Sequence, residues 1–165
     1  MVSIYKDQRI GIFVDVQNMY YSAKNLYNTK VDFEGLLKKA KQNRKVTRAI
    51  AYAIESETPD EENFFDLLED IGYEVKKKKL KTYYGGAKKG DWDMGIAIDA
   101  LKISDKLDVV CLVTGDGDFT HLVNHLQAGG CRVEIIAFDE SAAKELKEAA
   151  NNFINMSDHQ NAFLM

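Results

Sequence analysis

Five apolar runs of strand length constrain the fold of this chain more than any other feature: Arg9 to Val16, Val46 to Ile54, Tyr73 to Leu80, Asp108 to Thr114 and Arg132 to Phe138. They are rich in Ile and Val and mostly too continuous to be half exposed, which is the pattern of strands covered on both faces of a parallel sheet. Helical patterns lie between them, at Gln17 to Tyr27, Asp32 to Gln42, Asp60 to Ile71, Asp93 to Ser104, Phe119 to Ala128 and Ser141 to Asn151. Turn chemistry supports the joints, since Gly72 and Gly129-Gly130 follow two of the helices and Pro59 sits at the first turn of another.

Strands alternating with helices predict an α/β domain of three layers, Rossmann-like, with a mainly parallel central sheet, helices on both faces and right-handed crossovers. The expected strand order is 3-2-1-4-5. At 165 residues the chain has room for one core, so a single domain is expected over residues 1–156, followed by a tail over 157–165. Phe153-Ile154-Asn155-Met156 reads as a short edge strand, after which the chain is expected to fray.

In sheets of this kind ligands bind beyond the carboxyl ends of the strands, where the strand order reverses. With order 3-2-1-4-5 the reversal falls between the first and fourth strands, and both run straight into aspartates. The first ends in Asp15, with Asn18 three residues on; the fourth leads into Thr114-Gly115-Asp116-Gly117-Asp118-Phe119. A third acidic segment, Lys89-Gly90-Asp91-Trp92-Asp93, opens the helix that feeds the fourth strand.

Any one of these acids is explained by a helix cap or an Asx turn. Asp116 and Asp118 together are not, because a cap needs one acid, and two at close range repel unless a cation offsets them. A hard divalent ion held by oxygens, Mg²⁺ or Mn²⁺, is the simplest solution, and such an ion activates water for phosphodiester hydrolysis. Asp93 is assigned to the site because the residues after it (Ile96, Ala97, Ala100, Leu101) form the buried stripe of the helix, which leaves Asp91 as a cap or supporting acid. Asp99, six residues after Asp93 and about 240° round the helix, is expected to be structural or to stand behind the ligands.

At these residues the sequence resembles the NYN domain family, the LabA-like branch of the PIN-like nucleases. The resemblance rests on three ordered motifs: the strand ending in Asp15-x-x-Asn18; the Lys89-Gly90-x-x-Asp93 helix start with Gly95-x-x-x-Asp99; and Thr114-Gly115-Asp116-Gly117-Asp118-Phe119. It departs from the family pattern where Gly117 and Thr114 stand in place of serines and where Asp91-Trp92 separates Gly90 from Asp93. The resemblance implies a PIN-like fold, a Mg²⁺- or Mn²⁺-dependent site at Asp15, Asp93, Asp116 and Asp118 supported by Asn18, and endoribonuclease activity. Thr114, Asp91 and Asp99 are further supporting candidates. The preference for RNA over DNA comes from the resemblance alone.

A net charge of −4 and a pI near 5.4 argue against a general nucleic-acid binder, but the charge is unevenly spread. Seven lysines and no acid lie between Lys76 and Gly90. Lys76, Lys78, Lys81, Lys88 and Lys89 are interleaved or flanked by Tyr83, Tyr84 and Trp92, and cations beside aromatic faces suit single-stranded RNA. The plainer reading is a lysine-rich edge strand that resists aggregation.

Other features have ordinary explanations. Tyr20-Tyr21 is expected to pack in the core, and His121 and His125 to lie on the surface, since no third soft ligand stands near them. Cys111 and Cys131 read as small buried hydrophobes of a reducing compartment. The chain begins without a signal-like apolar run and has no stretch of ~20 apolar residues, so a cytoplasmic protein that avoids membranes is expected. The apolar end Phe163-Leu164-Met165 raises the expectation of a partner contact, with a homodimer as one form.

Two further functions fit parts of the pattern. A non-catalytic RNA-binding or regulatory module would keep the acids without turnover. A phosphatase of the haloacid-dehalogenase type would use Asp15 as its nucleophile, but such enzymes need a second aspartate at position 17, where this chain has Gln17.

Overall fold

The computed structural model describes residues 6–82 and 88–165. Six parallel strands form the central sheet: β1 (Arg9–Asp15), β2 (Lys45–Glu55), β3 (Glu74–Lys79), β6 (Val109–Val113), β7 (Arg132–Ala137) and β8 (Asn152–Asn155), in the order β3-β2-β1-β6-β7-β8. The remaining strands, β4 (Lys81–Thr82) and β5 (Lys88–Lys89), pair antiparallel as a separate two-stranded ribbon. The helices are α1 (Val16–Tyr27), α2 (Phe33–Lys41), α3 (Glu61–Ile71), α4 (Asp93–Ile103), α5 (Thr120–Ala128), α6 (Lys144–Ala149) and α7 (Gln160–Phe163).

The expected order 3-2-1-4-5 is the observed one, with β8 added at the far edge. Strand side chains alternate between faces, yet every residue of β6 and all of β1 after Arg9 are buried, so both faces of the sheet centre are covered. Burial of Ile10, Ile12, Val14, Val110, Leu112 and Ile135 supplies the main driving force, at about 25 cal/mol per Å² of apolar surface removed from water. The order reverses between β1 and β6, which are paired in register from Ile10↔Val109 to Val14↔Val113. Their carboxyl ends therefore emerge side by side.

Two expectations are corrected by packing. The chain does not fray after Met156: Phe163 is fully buried, Leu164 bridges Val31, and the Asp32 N–H donates to the Phe163 carbonyl at 2.7 Å. Gly35 makes this docking possible, since a Cβ there would stand 2.0 Å from the Ala162 carbonyl oxygen. The sixth helix starts at Lys144 rather than Ser141, because the Ala143 N–H is bound to the Gly115 carbonyl at 2.9 Å and Ala142 and Ala143 are extended.

Charged residues also enter the interior. Arg44 and Glu134 form a bidentate pair at 3.1 and 2.8 Å with both side chains fully buried, and Arg44 also donates to the Ala40 and Lys41 carbonyls. Among the described residues no helix is long and apolar enough to cross a membrane.

Candidate metal centre

The strand reversal sets the site. Asp15, the last residue of β1, caps α1 by accepting from the Asn18 N–H at 3.3 Å, and its second oxygen accepts from Thr114 Oγ1 at 3.1 Å across the β1–β6 junction. Thr114 Oγ1 in turn accepts from the Asp116 N–H at 3.2 Å, and Asn18 Oδ1 accepts from the Gly115 N–H at 3.1 Å. Two of these hydrogen bonds join the two strand ends, and the other two fix the local path of each segment.

The glycines of that loop serve close approach rather than unusual dihedrals. Positive φ among glycines of the described residues occurs at Gly72 and Gly130, and neither belongs to the loop. A Cβ at Gly115 would stand 3.0 Å from Ala142 Cα, and one at Gly117 would stand 2.5 Å from Glu145 Oε1 and 2.9 Å from Ala143 Cβ. The segment leading into α6 lies against Gly117 and leaves no room there for a side chain.

Within this frame Asp93, Asp116 and Asp118 each offer a carboxylate oxygen, and these oxygens lie within 4.8 Å of one another. Asp116 Oδ1 accepts from the Asp118 N–H at 2.9 Å, which orients the turn. Asp93 arrives on the first turn of α4, where its N–H donates to Asp91 Oδ1 at 3.1 Å. Asp91, one residue before the helix cap Trp92, holds the Asp93 backbone, and the Asp93 side chain faces the other acids.

Electrostatics report the crowding. Burial, the hydrogen bond to Asp116 and the charges of Asp116, Asp91 and Asp15 together push the Asp93 carboxyl up to about 7. Burial also raises Asp15, helped by the charges of Asp116 and Asp91 and opposed by the hydrogen bonds from Asn18 and Thr114. All the donor atoms are hard oxygens, and the acids crowd closely enough to raise the Asp93 carboxyl, so the set fits a hard divalent ion. Asp15 lines the same cleft but stands outside the trio, with both oxygens already accepting protein hydrogen bonds.

Several expected contributors sit elsewhere. Asp99 accepts from Tyr52 Oη at 2.8 Å and from Lys76 Nζ at 2.7 Å; burial opposes its ionisation, but these bonds outweigh burial and hold it below the usual carboxylate range. It ties α4 to β2 and β3, and Lys76 is occupied by it. Trp92 is a packing residue rather than an open stacking face: its Nε1–H donates to the Ala53 carbonyl at 2.8 Å, its ring meets Tyr52 at 5.3 Å, and Gly95 is needed because a Cβ would stand 2.4 Å from the indole. Lys78 lies 4.7 Å over that indole. Tyr83 and Tyr84 lie outside the described residues, and Lys81, Lys88 and Lys89 are described through their strand pairing alone.

The cleft is larger than its acidic end. Its volume is about 340 Å³, and beyond the carboxylates it is lined by Gln17, Tyr21, Ser22, Asn25, Leu26 and Ser141. Tyr20 and Tyr21, expected in the core, are 47% and 50% exposed, because α1 buries Val16, Met19, Ser22 and Ala23 instead. The signal was present in the spacing: Gln17, Tyr21 and Asn25 are four apart, directly after the strand that ends in Asp15.

Comparison with known proteins agrees with this architecture. A Vibrio parahaemolyticus protein of unknown function superposes with a TM-score of 0.89 and 35% identity, covering 99% of this chain and 100% of that one. The T5 D15 protein, co-crystallised with metal ions, shares the fold at a TM-score of 0.50 and 14% identity, over 86% of this chain and 59% of that one. The low amplitude and bright protein LabA of Synechococcus elongatus is 26% identical over an alignment of 172 positions, gaps included, that covers 93% of this chain and 87% of LabA. The NYN domain model matches residues 9–157, from the start of β1 to just past β8, and the chain belongs to the NYN domain family.

Proposed function

We propose that this chain is a Mg²⁺- or Mn²⁺-dependent endoribonuclease that hydrolyses phosphodiester bonds of single-stranded RNA at the cleft where Asp93, Asp116 and Asp118 meet. The observation that supports this reading most is the trio itself, three carboxylates within 4.8 Å of one another at the strand reversal of an NYN fold. The fold shared with a protein co-crystallised with metal ions is in keeping with a metal site. A divalent ion bound there supplies a lowered water pKa and offsets charge on the phosphate oxygens.

The residues of the chain perform the remaining tasks. Asp93, Asp116 and Asp118 hold the ion, and Asp91 fixes the helix start that presents Asp93. Asp15, Asn18 and Thr114 hold the acidic loop in place, so that the ligands are positioned before substrate arrives. No serine or cysteine nucleophile is required, and Cys111 is unsuited to the task, since burial pushes its thiol well above the usual range. The lysine-rich segment runs in sequence directly into Gly90 and Asp91, and Lys81, Lys88 and Lys89 are the residues proposed to meet backbone phosphates.

Incubation of the purified chain with labelled single-stranded RNA in Mg²⁺, Mn²⁺ or EDTA tests the reading. Internal cleavage that needs the metal supports it. Binding without cleavage in every metal would make the chain an RNA-binding module instead, and hydrolysis of p-nitrophenyl phosphate with intact RNA would favour the phosphatase.

A further inference from the structure

The arm of the cleft that runs along α1 is chemically unlike the end that holds the acids. Gln17, Tyr21 and Asn25 are spaced four apart, so they form one stripe on α1, about 6 Å per step, leading away from Asp15 at the start of the helix. Among the described residues, the lining contains no lysine or arginine to pair with a phosphate. It presents two amides and a phenol instead. Among the described residues, none of these three side chains makes a hydrogen bond to the protein, whereas Ser22 and Ser141 on the same wall are bonded to each other at 3.0 Å.

Tyr21 is also held in place. Its ring meets that of Tyr20 edge to face, with centroids 5.3 Å apart and planes at 81°, while half of its surface is exposed and the residue lines the cleft. An open aromatic face fixed between two free amides is a receptor for a flat, polar heterocycle: the ring stacks on it and the amides bond its edge. A duplex offers neither a free face nor a free Watson–Crick edge.

We propose that this arm is a nucleobase subsite, in which Tyr21 stacks on one unpaired base next to the scissile phosphate and Gln17 and Asn25 bond that base's edge. The inference rests on the reading of the acidic end as a phosphodiester-cleaving centre, and it names what positions the strand there. It assigns recognition of the base to α1 and of the phosphate to the carboxylate end with its ion.

Fluorescence anisotropy separates this subsite from the hydrolysis reading, because it needs no turnover. A labelled single-stranded oligoribonucleotide and an abasic oligomer of the same length are titrated with the full chain in EDTA. The subsite requires tighter binding of the intact oligomer. It requires Tyr21→Ala to weaken that binding about tenfold, Tyr21→Phe to restore it, and neither change to matter for the abasic oligomer. Gln17→Ala and Asn25→Ala should alter the preference among the four homopolymers while leaving abasic binding unchanged. Equal affinity of the native chain for intact and abasic oligomers, or an equal loss for both on Tyr21→Ala, overturns the subsite while leaving metal-dependent cleavage standing. Base-dependent binding with no cleavage in any metal overturns hydrolysis alone.

Discussion

Asp93, on the first turn of α4, is hydrogen-bonded to Asp116, which lies 23 residues further on and just beyond β6, and burial together with the negative charge around it raises the Asp93 carboxyl to about 7. Such a carboxyl still carries part of a proton at neutral pH. Metal binding must expel it, so Mn²⁺ affinity should rise by about tenfold per pH unit below 7 and level off above. Titration calorimetry at pH 5.5, 6.5 and 7.5 in buffers of different ionisation enthalpy measures both the affinity and the proton released. An affinity that does not change with pH would show that Asp93 is not a ligand.

The same raised carboxyl sets a stability prediction. Between about pH 4 and 7 the folded metal-free chain keeps a proton that the unfolded chain has lost, so stability falls as pH rises through that window. Above pH 7 the deficit is complete. Asp93→Asn removes it, and Tm of the metal-free protein at pH 8 should rise by about 2 °C or more, with little change at pH 4. Thermal scans in EDTA at both values check this, and a variant less stable at pH 8 would contradict it.

Arg44 and Glu134 should matter greatly to folding and little to the site. Glu134→Ala leaves the fully buried Arg44 without its bidentate partner, at a cost of about 3–5 kcal/mol in urea unfolding. Replacing both residues with apolar side chains of similar size should recover most of that loss. A single variant within about 1 kcal/mol of the native chain would show that the pair is not dry.

The carboxyl terminus is part of the core. Phe163→Ala should cost about 3–5 kcal/mol, as for a buried phenylalanine. Because Val31 pairs with Leu164 and Asp32 with Phe163, hydrogen exchange at Asp32 should accelerate in the same variant. Unchanged exchange would mean that the last residues are not docked.

The architecture was legible because continuous Ile and Val runs between helical patterns leave a parallel sheet as the main solution, and the acids at the ends of β1 and β6 follow from the strand order. The roles of other residues were not, for reasons of contact. Trp92 looks like a stacking face until Ala53 takes its N–H and Gly95 admits its ring. Lys76 looks free until Asp99 appears on the neighbouring helix. Tyr20 and Tyr21 look like core because tyrosine pairs often are, but α1 buries the small Ser22 and Ala23 against the sheet and turns both rings outward. Arg44 and Glu134 stand 90 positions apart in sequence, and the fold brings them to 2.8 Å, a pairing that no local pattern shows.

Cleavage of single-stranded RNA by the native chain and by Asp116→Asn in Mn²⁺, with Mn²⁺ binding followed on the same samples by electron paramagnetic resonance, tests the carboxylate mechanism most directly. The account predicts that Asp116→Asn lowers Mn²⁺ affinity and slows cleavage by about a hundredfold or more while the fold is retained. Cleavage by Asp116→Asn at the native rate would contradict it.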